Sequence, residues 1–347
     1  MLNLKELLLY SNEQKASDLH LSTGLPPFFR INGDMTPSPV HPIVTKEAIE
    51  AILNELFSPK QLEELSTQWE LDASFSIPDV GRFRVNVLYQ INGPAMVFRS
   101  IATQIPSFSD IGAPEVFKTL AEKPNGLVLV TGATGMGKTT TLAAMINYII
   151  QTRADHIITI EDPVEFVYQS QRSLITQREV HRSTRSFKNA LRAALREDPD
   201  VILVGELRDA ETVRLALTAA ETGHLVFGTL HTMSAPKSVD RIIDVFEGNE
   251  KNMIRSMLSE SLQGVISQIL LKNKLGGRAA AFEILVCNTA IRNIIRDDKI
   301  SQMHSVMQFG REEGMQTLDQ SLKDLVHAGK IDKCDAFPYA SYKPDFT

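Results

Sequence analysis

The sequence predicts an α/β protein in which a parallel sheet, covered by helices on both faces, follows a smaller α+β domain. Four aliphatic runs, LVLV at 127–130, HIITI at 156–160, VILV at 201–204 and LVFGTL at 225–230, alternate with segments of helical spacing. Continuous aliphatic runs with helices between them are typical of parallel strands that are buried on both faces. Upstream, residues 81–91 alternate apolar and polar side chains instead, as a strand does when one of its faces is exposed.

Length and composition agree with a globular protein of two domains. The chain has 347 residues, and at roughly 150 residues per domain this length allows two cores. Apolar residues make up 43% and charged residues 22%, values that argue against long disorder and against a coiled coil. The net charge is −6, so the whole chain is not a basic nucleic-acid coat, and any polyanion site would have to be local. We do not expect nucleic acid as a partner.

Cysteine content and hydropathy limit the compartment. The two cysteines, Cys287 and Cys334, lie far apart and form no CxxC pair, so we expect neither a disulfide framework nor a four-cysteine zinc site. No apolar run reaches the ~18 residues needed to span a bilayer. The N-terminus lacks the basic region and the cleavage site of a signal peptide. These observations predict a cytoplasmic protein that reaches a membrane only through a partner.

The N-terminal segment mixes predicted helices and strands. Residues 46–57 place apolar side chains at helical spacing, which predicts a helix with one buried face. Residues 81–91 predict a strand, and AMVFRSI at 95–101 predicts a second strand after the turn at 92–94. We therefore assign residues 1–101 to a small α+β domain with an antiparallel sheet.

A linker is expected at residues 102–112, because ATQIPSFSDIG combines a proline, polar residues and a glycine. Residues 113–347 then form the second predicted domain, which includes an apolar run, AAAFEILV, shortly after residue 277. Its tail, 336–347, is expected to fray. Spacing predicts helical segments at 114–122, 185–196, 209–221 and 253–271.

The strongest motif is GATGMGKT, which matches G-x-x-x-x-G-K-[ST] between an aliphatic run and a helical segment. Glycines let the backbone curl until several N–H groups point at phosphate oxygens, and the helix N-terminus adds partial positive charge. Lys138 supplies a charge for the β- and γ-phosphates, and the Thr139 hydroxyl can bind Mg²⁺. The nucleotide-binding residues predicted here are Gly132, Ala133, Thr134, Gly135, Met136, Gly137, Lys138, Thr139 and Thr140.

Carboxylates follow two of the predicted strands. Glu161, Asp162 and Glu165 come after HIITI, and Glu206 comes after VILVG. Because ligands of open α/β sheets bind at the carboxyl ends of the strands, we expect these acids near the phosphate loop. One carboxylate can hold Mg²⁺ or its waters, and another can take a proton from the attacking water. Glu206 stands where many P-loop enzymes have the Walker B acid. The residues alone leave the base open among Glu161, Asp162 and Glu165.

Two histidines flank the run LVFGTL. A strand rises about 3.3 Å per residue, so His224 and His231 should lie about 20 Å apart and cannot both touch one γ-phosphate. His231 follows the carboxyl end of the strand and is the expected nucleotide sensor. His224, at the other end, is expected to be structural or to lie at an interface.

Basic residues form two groups of interest. Seven lie within 172–196, and we favour a solvated or subunit-facing helix over a polyanion-binding patch because Phe187 is the one aromatic there that could stack on a base. Arg82, Arg84 and Arg99 lie on the predicted N-terminal strands. A planar guanidinium suits bidentate contact with a phosphate held by a neighbouring subunit. The alternative is that these three arginines are ordinary residues on the polar face of the sheet.

Four segments resemble, in order and spacing, the nucleotide-site boxes of the bacterial secretion ATPase superfamily. GATGMGKTTT resembles the Walker A box, ITIEDPVEFV the Asp box, REDPDVILVGELRDAET the Walker B box and TGHLVFGTLHT the His box. ASDLHLSTGLPPFFRINGDM at 16–35 and AIRNIIRDDK at 290–299 are similar to signature segments of the type IV pilus retraction ATPases. The resemblance to that family covers nearly the whole chain. Met136, where a small residue is common, and Thr139, in place of serine, are departures.

The resemblance implies a RecA-like ATPase domain after a PAS-like domain, with ATP and Mg²⁺ as cofactors. It implies a homohexameric motor that retracts type IV pili in twitching motility. The expected partners are an inner-membrane pilus platform protein and an accessory retraction ATPase, and the expected location is the cytoplasmic side of the inner membrane at the pilus base. An accessory retraction ATPase, a nucleic-acid translocase and a scaffold that only binds nucleotide are the alternatives, and segment 290–299 favours the principal retraction enzyme.

The resemblance also assigns roles to single residues. It implies that Glu165 is the catalytic base, that Glu206 is the Walker B acid beside the metal, and that His231 senses the γ-phosphate. Arg84 and Arg99 match the N-terminal arginines that reach the nucleotide of the neighbouring subunit.

Overall fold

The structure is a computed structural model that describes residues 2–31, 33–101 and 104–346. Within it the chain divides into two compact units, Met1–Gln104 and Ile105–Thr347. Residues 102 and 103 of the expected linker lie outside the described residues. The domain bounds 1–101 and 113–347 stay predictions, as does the PAS-like identity of the first unit.

The described part of the first unit holds a six-stranded antiparallel sheet with helices packed on it. The order of neighbouring strands is β3-β2-β1-β6-β5-β4, and every pair is antiparallel, as the sequence predicts. The elements are α1 (Leu4–Glu13), β1 (Asp18–Ser22), β2 (Phe28–Ile31), β3 (Asp34–Pro37), α2 (Lys46–Leu56), α3 (Pro59–Gln68), β4 (Glu70–Ile77), β5 (Gly81–Gln90) and β6 (Gly93–Ile101).

Side chains of this sheet alternate between a core face and a polar face. Phe83 and Val85 of β5 are buried, and they pack with Phe98 of β6 beneath the helices. Arg84, between them in sequence, points to the opposite face because successive side chains of a strand alternate. The strand predicted at 81–91 is therefore confirmed.

The second unit contains a seven-stranded mixed sheet with helices on both faces, which confirms the α/β prediction. Its strand order is β13-β12-β7-β11-β10-β8-β9, and the strands are parallel except for β13. The elements are α4 (Val116–Ala121), β7 (Gly126–Thr131), α5 (Lys138–Thr152), β8 (His156–Glu161), β9 (Leu174–Glu179), α6 (Phe187–Ala194), β10 (Val201–Val204), α7 (Ala210–Glu221), β11 (Leu225–Leu230), α8 (Ala235–Asp244), α9 (Lys251–Ser261), β12 (Leu262–Lys272), β13 (Arg278–Val286), α10 (Thr289–Arg296), α11 (Met303–Phe309), α12 (Leu318–His327) and α13 (Lys333–Ala336), with 3₁₀ turns at Ile300–Gln302, Gly310–Glu313 and Lys343–Phe346.

The central strand β7 separates two apolar layers. Leu127 and Leu129 belong to the layer that includes α7 and α9, whereas Val128 and Val130 belong to the layer under α4 and α5. All four side chains are fully buried. A strand covered on both faces needs apolar residues at every position, which is why the aliphatic runs predicted this sheet correctly.

The helix predicted over 253–271 is wrong in its second half. Helix α9 ends at Ser261, and β12 begins at Leu262 and pairs with β7 on one side and β13 on the other. A short apolar run buried on both faces does not distinguish a helix from a strand by its periodicity. Residues 262–272 form a strand because pairing with β7 and β13 satisfies the backbone hydrogen bonds along both edges of β12.

The tail predicted to fray is packed on the sheet up to residue 346. Ala336, Ala340 and Phe346 are buried in a cluster with Ile269 and Leu271 of β12. The backbone N–H groups of residues 341 and 342 donate to the carboxylate of Asp319 over 2.8 Å. Apolar residues spaced along an irregular segment give no periodic signal, so the sequence did not predict this contact. Within the described residues, every helix is too short or too polar to cross a bilayer.

Candidate nucleotide site

Four parallel strands bring the motifs to one edge of the second sheet. Strand β11 lies between β7 and β10, and β8 lies on the far side of β10. Because these strands run in the same direction, the segments that follow them meet at the carboxyl edge. Those segments contain the phosphate loop, the acids after β8, Glu206 and His231.

The phosphate loop joins β7 to α5 through three glycines of positive φ. Gly132, Gly135 and Gly137 have φ values of 145°, 80° and 82°, and α5 begins at Lys138. Gly132 is also sterically required, because a Cβ there would lie 2.5 Å from the backbone oxygen of Gln268. The first N–H groups of α5 have no acceptor within the helix, so the end of the loop presents donors suited to phosphate.

Lys138 lies against the loop that it follows. Its Nζ donates hydrogen bonds to the backbone oxygens of Gly132 at 2.8 Å and Ala133 at 3.1 Å. Burial lowers the pKa of this ammonium, and the charge of Glu206 offsets part of that effect. The lysine thus places a cation at the mouth of the loop. A bound phosphate would replace the two carbonyl oxygens as the hydrogen-bond partner of this cation.

Glu206 contacts Arg208, two positions further along the chain, and His231, which follows β11. One carboxylate oxygen lies 2.7 Å from Arg208 and the other lies 3.2 Å from Nε2 of His231. Burial acts to raise the pKa of Glu206, but the hydrogen bond and charge of Arg208, together with His231, outweigh it and lower that pKa. Glu206 is therefore held as a carboxylate at the site.

His231 connects this carboxylate to the phosphate loop. Its Nδ1 lies 3.4 Å from Oγ1 of Thr134, while its Nε2 faces Glu206. The structure thus brings together the loop, the acid after β10 and the histidine after β11, as the sequence predicts. The other histidine, His224, contacts the backbone oxygen of Ala219 through Nδ1 at 2.9 Å, which fits the structural alternative.

The three acids after β8 differ in their surroundings. Glu161 is buried, and its carboxylate accepts hydrogen bonds from Thr159 at 2.7 Å and Gln177 at 3.4 Å. Burial raises its pKa more than these hydrogen bonds lower it. Asp162 is exposed and Glu165 is half-buried. The two later acids are therefore more accessible to a solvent water than Glu161.

A magnesium ion would find oxygen ligands beside the loop. Thr139 offers a hydroxyl in the first turn of α5, and Glu206 offers a carboxylate held in its charged form. Mg²⁺ in nucleotide sites typically keeps several waters and uses one or two protein oxygens together with phosphate, so this pair fits the ion. Among the described residues there is no cluster of three or more His, Cys, Asp or Glu side chains that would hold a metal without a phosphate.

The first unit carries the other predicted arginines. Arg99 lies directly opposite Arg84 on one side and Asp18 on the other, in register across β5, β6 and β1. Arg99 Nε lies 2.8 Å from Asp18 Oδ1, and Arg84 lies 3.8 Å from Asp72. The Arg99 side chain is 67% exposed. Both guanidinium groups thus lie on the polar face of the sheet.

Ion pairs neutralise part of the basic stretch at 172–196. Arg178 pairs with Glu197 at 3.1 Å, and Arg192 pairs with Glu211 at 2.6 Å. These ion pairs favour the predicted solvated or subunit-facing surface over a polyanion-binding patch. Strand β9, which lies inside this stretch, was not predicted.

Sequence reasoning missed three residues that support these groups. Arg208 stands two positions after Glu206, and that spacing was the available signal. Asp18 lies in the ASDLHL segment, without an assigned role. Gln268, which contacts the phosphate loop, could not be found because its segment was predicted to be helical.

A phosphate loop at the end of a central strand, with an acid and a histidine at adjacent strand ends, defines the class of this protein as a P-loop ATPase. Residues 13–275 match the family described as Type II/IV secretion system protein, and the chain belongs to that family. It is 54% identical over 345 residues to the type IV pilus retraction ATPase PilT of Pseudomonas aeruginosa, covering 99% of this chain and 100% of that one.

Two further comparisons extend this relation. The type IV pilus ATPase PilU of P. aeruginosa is 38% identical over 348 residues, covering 99% of this chain and 90% of that one. The crystal structure of the pilus retraction motor PilT with bound ADP superposes with a TM-score of 0.94 at 45% identity, and the match covers 99% of each chain.

Proposed function

We propose that this protein is the motor ATPase that retracts type IV pili. The observation that supports this most is the link from Thr134 through His231 to Glu206, in a chain that is 54% identical to a retraction ATPase over its length. Through this link the histidine lies within hydrogen-bond reach of both the phosphate loop and the acid. A change at the γ-phosphate can therefore reach two strand ends at once.

Each group at the site has a proposed role in ATP hydrolysis. The loop N–H groups and Lys138 bind the phosphates, and Thr139 with Glu206 would hold Mg²⁺, which neutralises developing charge when bound. Glu165 accepts a proton from the attacking water, a role for which its half-buried position is suitable. His231 contacts the γ-phosphate and exchanges that contact for Glu206 after phosphate release.

The assembled state is proposed to be a homohexamer. In this ring Arg84 and Arg99 of one subunit reach the nucleotide of the next, where their guanidinium groups stabilise charge on the transferred phosphoryl group. Loss of that phosphate removes contacts across the interface, and the linker at 102–112 absorbs the movement. We propose an inner-membrane platform protein as the partner that receives the force, and the cytoplasmic side of the inner membrane as the location.

An accessory retraction ATPase is the second candidate. PilU is 38% identical to this chain, against 54% for PilT, and this difference favours the principal enzyme. The two candidates differ in phenotype. Loss of a principal motor should leave abundant surface pili that do not retract, whereas loss of an accessory motor should leave a principal motor that still retracts them.

The decisive experiment is a gene deletion complemented in trans. We expect the deletion strain to be heavily piliated and immobile, wild-type protein to restore motility, and Lys138→Ala to fail. Lys5→Ala, which changes an exposed lysine on α1, is the matched control and should restore motility. Bald cells would indicate pilus assembly instead, and ATPase stimulation by DNA that weakens with salt would indicate a translocase.

A further inference from the structure

A buried glutamine on β12 joins the phosphate loop to the first turns of α5. The Gln268 side-chain Nε2 donates to the backbone oxygen of Met136 at 2.6 Å. Its Oε1 accepts a hydrogen bond from the hydroxyl of Thr141 at 2.7 Å. Gln268 and Thr141 are each 2% exposed. A single carboxamide thus contacts the loop with its donor and the following helix with its acceptor.

The contact with Met136 sets the direction of a peptide group in the loop. The carbonyl oxygen and the N–H of one trans peptide point in opposite directions because the unit is planar. The Met136–Gly137 peptide is trans, so holding the oxygen of Met136 against β12 turns the N–H of Gly137 away from β12. Strands β10 and β11, which Glu206 and His231 follow, lie on the other side of β7 from β12. The N–H therefore faces the side on which the proposed phosphate would lie.

Close packing around Gln268 leaves the loop few other positions. A Cβ at Gly132 would lie 2.5 Å from the Gln268 backbone oxygen, and a Cβ at Gly137 would lie 3.1 Å from its Nε2. The backbone N–H of Leu270, two residues further along β12, points at the sulfur of Met136 at 3.3 Å. The strand therefore contacts the loop at its start, near its end and through the Met136 side chain.

A loop with three glycines is intrinsically flexible, and an ordered binding shape costs conformational entropy. Contacts that order the loop before the nucleotide binds remove this entropy cost from the free energy of binding. We propose that Gln268 is a positioning residue of the nucleotide site, which holds the Met136–Gly137 peptide in the orientation that accepts phosphate. This inference rests on the proposed nucleotide site and adds a residue that touches the loop but not the substrate.

Gln268→Met tests the proposal because it conserves size and removes both hydrogen bonds. The probe is a fluorescent ADP, titrated into the full-length protein, with the thermal midpoint recorded beside it. We expect the Kd for ADP to rise about tenfold, the scale of one lost hydrogen bond to a buried acceptor. The kcat at saturating ATP should fall less than the affinity does.

Thr141→Val is the matched control, since it removes the helix side of the same bridge and keeps the contact with Met136. It should keep the Kd within about twofold of wild type even if the thermal midpoint falls. Equal losses of affinity in Gln268→Met and Thr141→Val would show that the bridge is only structural and would overturn the proposal. Wild-type affinity in a folded Gln268→Met protein would overturn it as well.

Gln268→Leu keeps the test open if the methionine variant does not fold. Its side chain is uncharged and can neither donate to Met136 nor accept from Thr141, so ADP affinity should fall here too, with no charge repulsion of the nucleotide. Wild-type ADP affinity in a folded Gln268→Leu protein would contradict the positioning role. The wild-type titration is independent of hydrolysis, so a wild-type protein that binds ADP but releases no phosphate would refute the motor function and not this inference.

Discussion

Asp18 of β1 and Arg99 of β6 face each other in register, with Arg99 Nε 2.8 Å from Asp18 Oδ1. The carboxylate is buried while the guanidinium is mostly exposed, so a fixed anion holds a cation that extends toward solvent. Arg84 lies opposite Arg99 on the other side. Like charges directly opposite are unfavourable in a sheet, and Asp18 offsets that repulsion.

This pair predicts that Asp18 orients an arginine needed for hydrolysis. We expect Asp18→Asn to lower kcat several-fold in the assembled enzyme, because Arg99 loses its charged partner and moves away from Arg84. Phosphate release at saturating ATP measures the effect. Asp34→Asn, at an exposed site on β3, serves as the control and should keep wild-type kcat. An Asp18→Asn enzyme with wild-type kcat would disprove the orienting role.

Arg84 and Arg99 should act in trans. Lys138→Ala and Arg99→Ala proteins are each expected to be nearly inactive, since each one lacks one half of every nucleotide site. Mixed and reassembled, they should regain part of the phosphate release, because some interfaces then pair an intact Lys138 with an intact Arg99. Mixtures that stay as inactive as the separate variants would place Arg99 outside the neighbour's site.

The assignment of the base separates Glu165 from Glu161. Glu165→Gln should bind ATP with wild-type affinity and turn over at least about a hundredfold more slowly, the scale of a lost general base. Glu161→Gln should keep most of its activity, because Glu161 is buried among Thr159 and Gln177. Single-turnover phosphate release on both proteins decides the question. The reverse pattern would show that the base is Glu161.

Glu161 also predicts how stability depends on pH. Burial raises its pKa above the ordinary value of 4.5, so the folded chain binds this proton more tightly than the unfolded chain does. The free energy of unfolding therefore falls as pH rises from 4.5 through the raised pKa. Glu161→Gln should lack this fall, which urea unfolding at a series of pH values would measure. Asp162→Asn, at an exposed position, should follow the wild-type curve, and a Glu161→Gln curve of the same slope would contradict the account.

The phosphate loop, the core strands and the order of the site segments can all be predicted from the sequence alone. The loop is readable because its glycines, Lys138 and Thr139 are consecutive and their chemistry is local. The strands β7, β8, β10 and β11 are readable because burial on both faces demands unbroken aliphatic runs. The rule that ligands bind at the carboxyl ends of parallel strands then predicted that Glu206 and His231 would meet there.

Features that depend on partners far away in the chain became visible only in the folded protein. Residues 262–272 form a strand because β7 and β13 pair with them, which an apolar run alone does not indicate. Gln268 reaches Met136 across 132 positions of sequence, and Arg99 reaches Asp18 across 81. The tail up to residue 346 is ordered because Phe346 is buried in a cluster with residues of β12. A local sequence pattern shows which face of a helix or strand is apolar. It does not show which distant residue a side chain will contact, because that depends on which strands lie side by side in the folded chain.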